Sequence, residues 1–132
     1  MLYNTMELPS REFGQGRTRS VRLIASPQTT GEERISLVYV VIPPETGPEV
    51  HSHPDCDEYI FFESAGRAIL DGEEIEVPAK AVLHAKAGVN HAGFNPGTND
   101  ELKLFCVFTP AFTPYGQFPP LIDETKTFFN GK

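Results

Sequence analysis

The chain has 132 residues, 39% of them hydrophobic, with a net charge of −7 and two cysteines. A chain of this size buries roughly two thirds of the surface its unfolded form exposes, so a single domain can hold a core without disulfide staples. The acidic balance speaks against nucleic acid, whose phosphates need a basic surface, and the longest apolar run, LVYVVIPP, is far too short to span a bilayer.

The first twenty residues are polar, with Arg11, Arg17 and Arg19 among glycine and serine, and are expected to form an arm outside the core. The opening MLYNTMELPSREFG has neither the basic n-region nor the apolar h-region of a secretory signal. SVRLIAS and RISLVYVVI then read as strands, and the second places Ile35, Leu37, Tyr39 and Val41 on one face. PPETGP breaks the run. After it come YIFFES, AGRAIL, a turn at Asp71-Gly72, EEIEVP, KAVLHAK, a turn near Gly88, HAGFN, the loop PGTND and the last long strand, ELKLFCVFTP. Strands recurring every ~8–12 residues with Gly and Pro between them predict an all-β chain, an antiparallel sandwich or barrel. Helix is expected only as a short turn around Asp123 to Phe129.

The tail TPAFTPYGQFPPLIDETKTFFNGK is rich in proline, which has no N–H for a ladder, and in aromatics that must bury somewhere. It is expected to wrap over the barrel or over a neighbouring subunit. Neither a repeat nor a linker is visible, so residues 1–132 read as one domain with an arm at 1–20, a core at 35–110 and a tail at 111–132. Cys56 and Cys106 lie inside or beside apolar strands and read as reduced thiols of a cytoplasmic protein.

One segment, EVHSHPDCDEYIFF, gathers chemistry. Side chains at i and i+2 of a strand share a face, so His51 and His53 point the same way. Two imidazoles side by side are half of a site for zinc, copper, iron or nickel, and a carboxylate shifts the preference toward harder ions. Pro54 breaks the strand and lets the parity reset. If Glu58 faces inward, so do Ile60 and Phe62, while Asp57, Tyr59 and Phe61 face the other side. An inward carboxylate in an apolar wall is costly unless paired or metal-bound. Asp55 and Asp57 read as loop solvation. A bare HxH is an ordinary feature of loops. The second cluster, KAGVNHAGFN, offers a third imidazole, His91, after a tight turn at Gly88 and four residues before Asn95.

On these residues the chain resembles the cupin superfamily, in the small single-domain, RmlC-like form. Gly47, His51, His53, Glu58 and Gly66 follow the first cupin motif, G(x)5HxH(x)3-4E(x)6G, and Gly88, His91 and Asn95 follow the second, G(x)5PxG(x)2H(x)3N. The match covers Ile35 to about Pro110. It departs in spacing, with three residues between Gly47 and His51 and seven between Glu58 and Gly66. Lys80 and Lys86 stand where a glycine and a proline are usual. The resemblance implies a jelly-roll barrel, with His51, His53, Glu58 and His91 as ligands of a divalent metal ion (iron, manganese, nickel or zinc). Such an ion can act as a Lewis acid through its open positions. Three neutral imidazoles and one carboxylate would leave the site at about +1, suited to an enolate or carboxylate oxygen.

Tyr39, Ile60, Phe62, Phe94, Phe105 and Phe108 are the residues from which the pocket wall is expected. His84 reads as a rim or surface residue, Cys106 as packed inside and Cys56 as a partly exposed neighbour of the motif. No general base besides the ligands stands out; Glu49, Glu63, Tyr39 and the two lysines are candidates by neighbourhood alone. The scaffold hosts many chemistries, and three readings follow: a metal-dependent enzyme on a small organic acid or aromatic metabolite (a dioxygenase, or a Lewis-acid isomerase, lyase or cyclase), a non-catalytic module binding a sugar or metabolite, and a structural or storage role. Four intact ligands favour the first. The expected partners are a small molecule and a second copy of the chain in a homodimer.

Overall fold

Nine strands and one α-helix form: β1 (Ser10–Phe13), β2 (Arg19–Ala25), β3 (Ser36–Ile42), β4 (Asp57–Phe62), β5 (Gly66–Leu70), β6 (Glu73–Val77), β7 (Val82–Ala85), β8 (His91–Phe94), β9 (Leu102–Thr109) and α1 (Phe118–Asn130). The structure is a computed structural model and describes residues 1–132 apart from the side chain of Arg17. The strands make two sheets, in the order β1-β2-β3-β9-β4-β7 and β6-β5-β8. Every pairing is antiparallel. The result is a jelly-roll barrel with its core between the inner faces, where Leu23, Ile42, Phe62 and Leu102 are almost fully buried. No helix among the described residues is long and apolar enough to cross a membrane.

The hairpin β5–β6 closes at Asp71 and Gly72, whose φ values of 52° and 83° suit the tight turn that matches strand twist. The loop between β3 and β4 crosses to the smaller sheet. Thr46 bridges Asn95 there, and His51 bridges His91. Asn95 secures that crossing: its side-chain amide donates to the carbonyls of Ile42 and Asp100, and its oxygen accepts from Gly97 N.

Two expectations are corrected. The first twenty residues are not an arm, because Ser10–Phe13 pairs with β2 at the sheet edge and Phe13 packs 4.6 Å from the Phe118 ring. A four-residue strand, SREF, with one aromatic is too short and polar to show period two. The tail does wrap over its own barrel, but as a helix of 13 residues rather than a short turn. Pro119 and Pro120 fall in its first turn, where the missing N–H groups have no helical partner to lose. Phe118, Leu121, Ile122 and Thr125 then form the buried stripe of an amphipathic helix.

Candidate metal centre

Backbone pairing brings the histidines together. His51 and His91 exchange both main-chain bonds, at 3.0 and 2.8 Å. In such a pair the side chains stand opposite one another, and the two rings lie 4.6 Å apart. His53, two residues on, shares the inward face of His51, and its carbonyl accepts from Gly88 N at 2.9 Å. Gly88 has φ of +81°, the left-handed conformation the turn into β8 requires. Glu58 enters from β4 in the expected phase: Glu58, Ile60 and Phe62 are 4, 3 and 0% exposed, while Tyr59 on the opposite face is 40% exposed.

His51, His53, Glu58 and His91 thus offer four ligand atoms that all lie within 4.8 Å of one another. His91 Nε2 is 2.7 Å from Glu58 Oε1, and His53 Nε2 is 3.3 Å from the same oxygen. The set fits a cation. His51 Nδ1 meets the Glu49 carbonyl at 2.8 Å and His91 Nδ1 meets the Val89 carbonyl at 2.9 Å. A carbonyl only accepts, so both Nδ1 atoms carry hydrogen and both Nε2 lone pairs are turned to the cluster. His53 Nε2 is buried without an aligned hydrogen-bond partner, as befits a nitrogen whose lone pair is offered to a cation.

The electrostatics agree. Burial alone would raise the Glu58 carboxyl, but the imidazoles of His53 and His91 outweigh it and hold it at about 2. Burial lowers His51, which favours the neutral, ligating form. Burial also opposes protonation of His91, yet its hydrogen bonds to Glu58 and to the Val89 carbonyl raise its pKa overall. A proton therefore competes with a metal more at His91 than at His51. Metal affinity is expected to rise about tenfold per pH unit up to the His91 pKa and then to level off. A chelator-competition titration between about pH 5 and pH 8 checks this. For metal-free protein the signs differ by group. Glu58, depressed, contributes stability that is complete above its unfolded value near 4.5 and is lost as pH falls toward 2. His91, raised, contributes stability that is present below its unfolded value near 6.5 and is lost as pH rises through its folded value.

A cavity of about 650 Å³ opens above the cluster. Of the expected wall, Ile60 and Phe108 line it. Phe62 points inward but lies beneath, in the core. Tyr39, Phe94 and Phe105 do not line it either, which corrects the expectation for all four. Val38, Val40 and Ile42 are the lining residues of β3, so Tyr39 faces outward, where its ring packs 4.7 Å from Phe105. Gly93 lines the cavity from β8, which turns Phe94 to the other side. The outward Tyr39 hydroxyl lies 3.4 Å from Glu63 Oε2, so neither candidate base faces the cluster.

The tail supplies what the sequence reading left out of the wall: Phe112, Tyr115 and Phe118. Arg19 also lines the cavity, from β2. Cys106 packs inside, as expected, and burial together with Glu58 pushes its thiol well up, which leaves it a poor nucleophile. Cys56 is buried rather than partly exposed.

Outside the barrel, His84 stacks on Tyr59 with ring centroids 4.1 Å apart and bonds to Asp57 Oδ2 at 3.1 Å. Asp57 also accepts from Ala87 N at 2.9 Å, so it starts a strand and pins the β7 end instead of solvating a loop. Lys80 adopts φ of +72°, the conformation for which the motif's glycine is suited. Lys80 and Lys86 are both exposed.

A family profile described as "Cupin domain" matches residues 38–108. Solved structures share the architecture. A predicted oxalate decarboxylase from Thermotoga maritima superposes with a TM-score of 0.72 at 17% identity, over 83% of this chain and 99% of the other. KdgF from Halomonas sp. gives 0.67 at 14%, over 83% and 94%. Ectoine synthase from P. lautus gives 0.68 at 15%, over 86% and 80%. At these identities the likeness establishes the fold. No curated protein matches the chain.

Proposed function

Because the chain belongs to the cupin family, we propose that it is a metal-dependent enzyme acting on a small organic acid or aromatic metabolite. The supporting observation is the convergence of four donor side chains beneath an apolar cavity. His51, His53, Glu58 and His91 would hold a divalent ion, iron, manganese, nickel or zinc. When bound, the ion supplies Lewis acidity, or an oxygen-binding position in the case of iron. The chain's own residues do the rest. The Glu49 and Val89 carbonyls orient two imidazoles, and Glu58 balances charge in the buried floor of the site. Ile60, Phe108, Phe112 and Phe118 exclude water from the bound molecule.

Elemental analysis of freshly purified protein tests the reading, with one divalent ion per chain expected. Protein that arrives metal-free and takes up none of the four ions would overturn it. Oxygen consumption divides the reaction classes: a dioxygenase consumes oxygen with its substrate, whereas a Lewis-acid isomerase, lyase or cyclase works anaerobically. The alternative is a binding module without turnover, for which the same cavity would serve as a sugar or metabolite site.

The proposed setting is cytoplasmic, in keeping with the two free cysteines. The proposed assembly is a homodimer. Its own barrel occupies the tail, so the contact surface falls to the outer face near the edge strand β7, where Tyr59 and Val82 are 40 and 57% exposed. Light scattering at micromolar concentration should return twice the chain mass, and a monomer would sink the assignment.

A further inference from the structure

Arg19 is the one lysine or arginine among the described residues of the cavity wall. It opens β2 beside Val21, Val38 and Val40, and its side chain is only 13% exposed. A guanidinium so placed is taken from water and set against hydrocarbon, which is costly unless its hydrogens are used. Two partners are visible: Nη1 donates to Glu49 Oε2 at 2.5 Å and Nη2 donates to the Gly47 carbonyl at 2.9 Å. A guanidinium has five N–H groups in a planar fork. Three have no protein acceptor among the described residues.

The partner residue ties this group to the metal centre. One Glu49 oxygen accepts from Arg19 and the other from Gln15 N, while its main-chain carbonyl accepts from His51 Nδ1. A side chain at Gly14 would collide with that carboxylate. Glu49 is therefore clamped, and it fixes the guanidinium and the first histidine relative to each other. A simple surface ion pair would need none of this, and would not sit on the wall of an otherwise apolar cavity.

We propose that Arg19 is the recognition group for a carboxylate on the molecule bound in this cavity. The ligand class is then a small acid with an apolar body: its carboxylate meets the free donors of Arg19, and a separate oxygen donor faces the histidine cluster. A planar fork suits a carboxylate, whose two oxygens accept parallel hydrogen bonds. Glu49 offsets part of the Arg19 charge, so selection of the acid rests on the geometry of the unspent N–H groups rather than on net charge. This assignment rests on the enzyme reading above only for what happens at the metal.

The test uses 3-(4-hydroxyphenyl)propanoate, whose phenol supplies the separate oxygen donor, and its neutral counterpart 3-(4-hydroxyphenyl)propanol as probes, titrated calorimetrically into protein as purified, with metal content measured on each sample. Wild type should prefer the acid by ~10-fold, the scale of a hydrogen bond to a charged group. Arg19→Met should abolish that preference with metal content unchanged, and Arg19→Lys should restore part of it. A merely structural arginine would change both probes together. In wild type, the Arg19 Nε–H resonance should shift with the acid and stay in place with the alcohol, a readout that needs no variant to fold. An unshifted resonance, or an Arg19→Met protein that keeps both its metal and the acid preference, overturns the proposal and leaves the metal reading standing. Arg19-dependent preference in protein that binds no metal supports it and overturns the metal reading alone.

Discussion

Replacing His91 with alanine is expected to lower metal affinity by more than ~100-fold, beyond what loss of an outer-shell partner costs. His91 is 2% exposed and its Nε2 lies 2.7 Å from Glu58 Oε1, so the substitution removes a donor and also one of the two imidazoles that hold the carboxylate ionised. No other imidazole can take its place, since the fourth histidine, His84, stacks on Tyr59 on the outer face. His84→Ala is therefore the matched control, with full metal content expected. Elemental analysis after dialysis, with circular dichroism to verify the fold, decides between the two. A His91→Ala protein that folds and keeps one ion per chain would remove the metal centre from this assignment.

Phe62→Ala should be the most destabilising single change of the core, by about 3–5 kcal/mol. Phe62 is fully buried at the end of β4, and its ring fills the space left open by two glycines. A Cβ at Gly66 or Gly93 would stand 3.3 or 3.4 Å from it. Those glycines admit the ring but have no side chain with which to fill the hole it leaves. Against a total stability of about 5–15 kcal/mol the loss is large. Urea unfolding of the metal-free protein should show a lower midpoint at unchanged slope. A shift below about 1 kcal/mol would mean that the floor of the site repacks freely.

Phe62 also shows how far a residue pattern reaches. Its inward direction followed from the proline break before β4 and from the cost of an inward Glu58, both local facts. Its depth did not, because period two orders side chains along a strand without saying how far below the cavity each lies. Tyr39 marks the sharper limit. SLVYVVI is apolar at both parities, and a strand buried on both faces does not announce which face is inside. Pairing with β9 decides it: Tyr39 stands opposite Phe105 on the outer face, and the cavity receives Val38, Val40 and Ile42.

Read from the residues, the protein is an all-β domain with strands in the right order and a hairpin turn at Asp71-Gly72, and two short motifs carry the four candidate ligands that the cupin resemblance implies. These are local matters of alternation, turn chemistry and spacing, and they survive whatever the rest of the chain does. The tertiary structure decided the remainder. It placed Ser10–Phe13 on a sheet edge, laid a proline-started helix across the barrel and brought Phe112, Tyr115 and Phe118 to the cavity beside Arg19. Arg19 and His51 are separated by 32 positions in the chain, and no pattern in either neighbourhood refers to the other. Only the clamped Glu49, which touches both, makes them parts of one site.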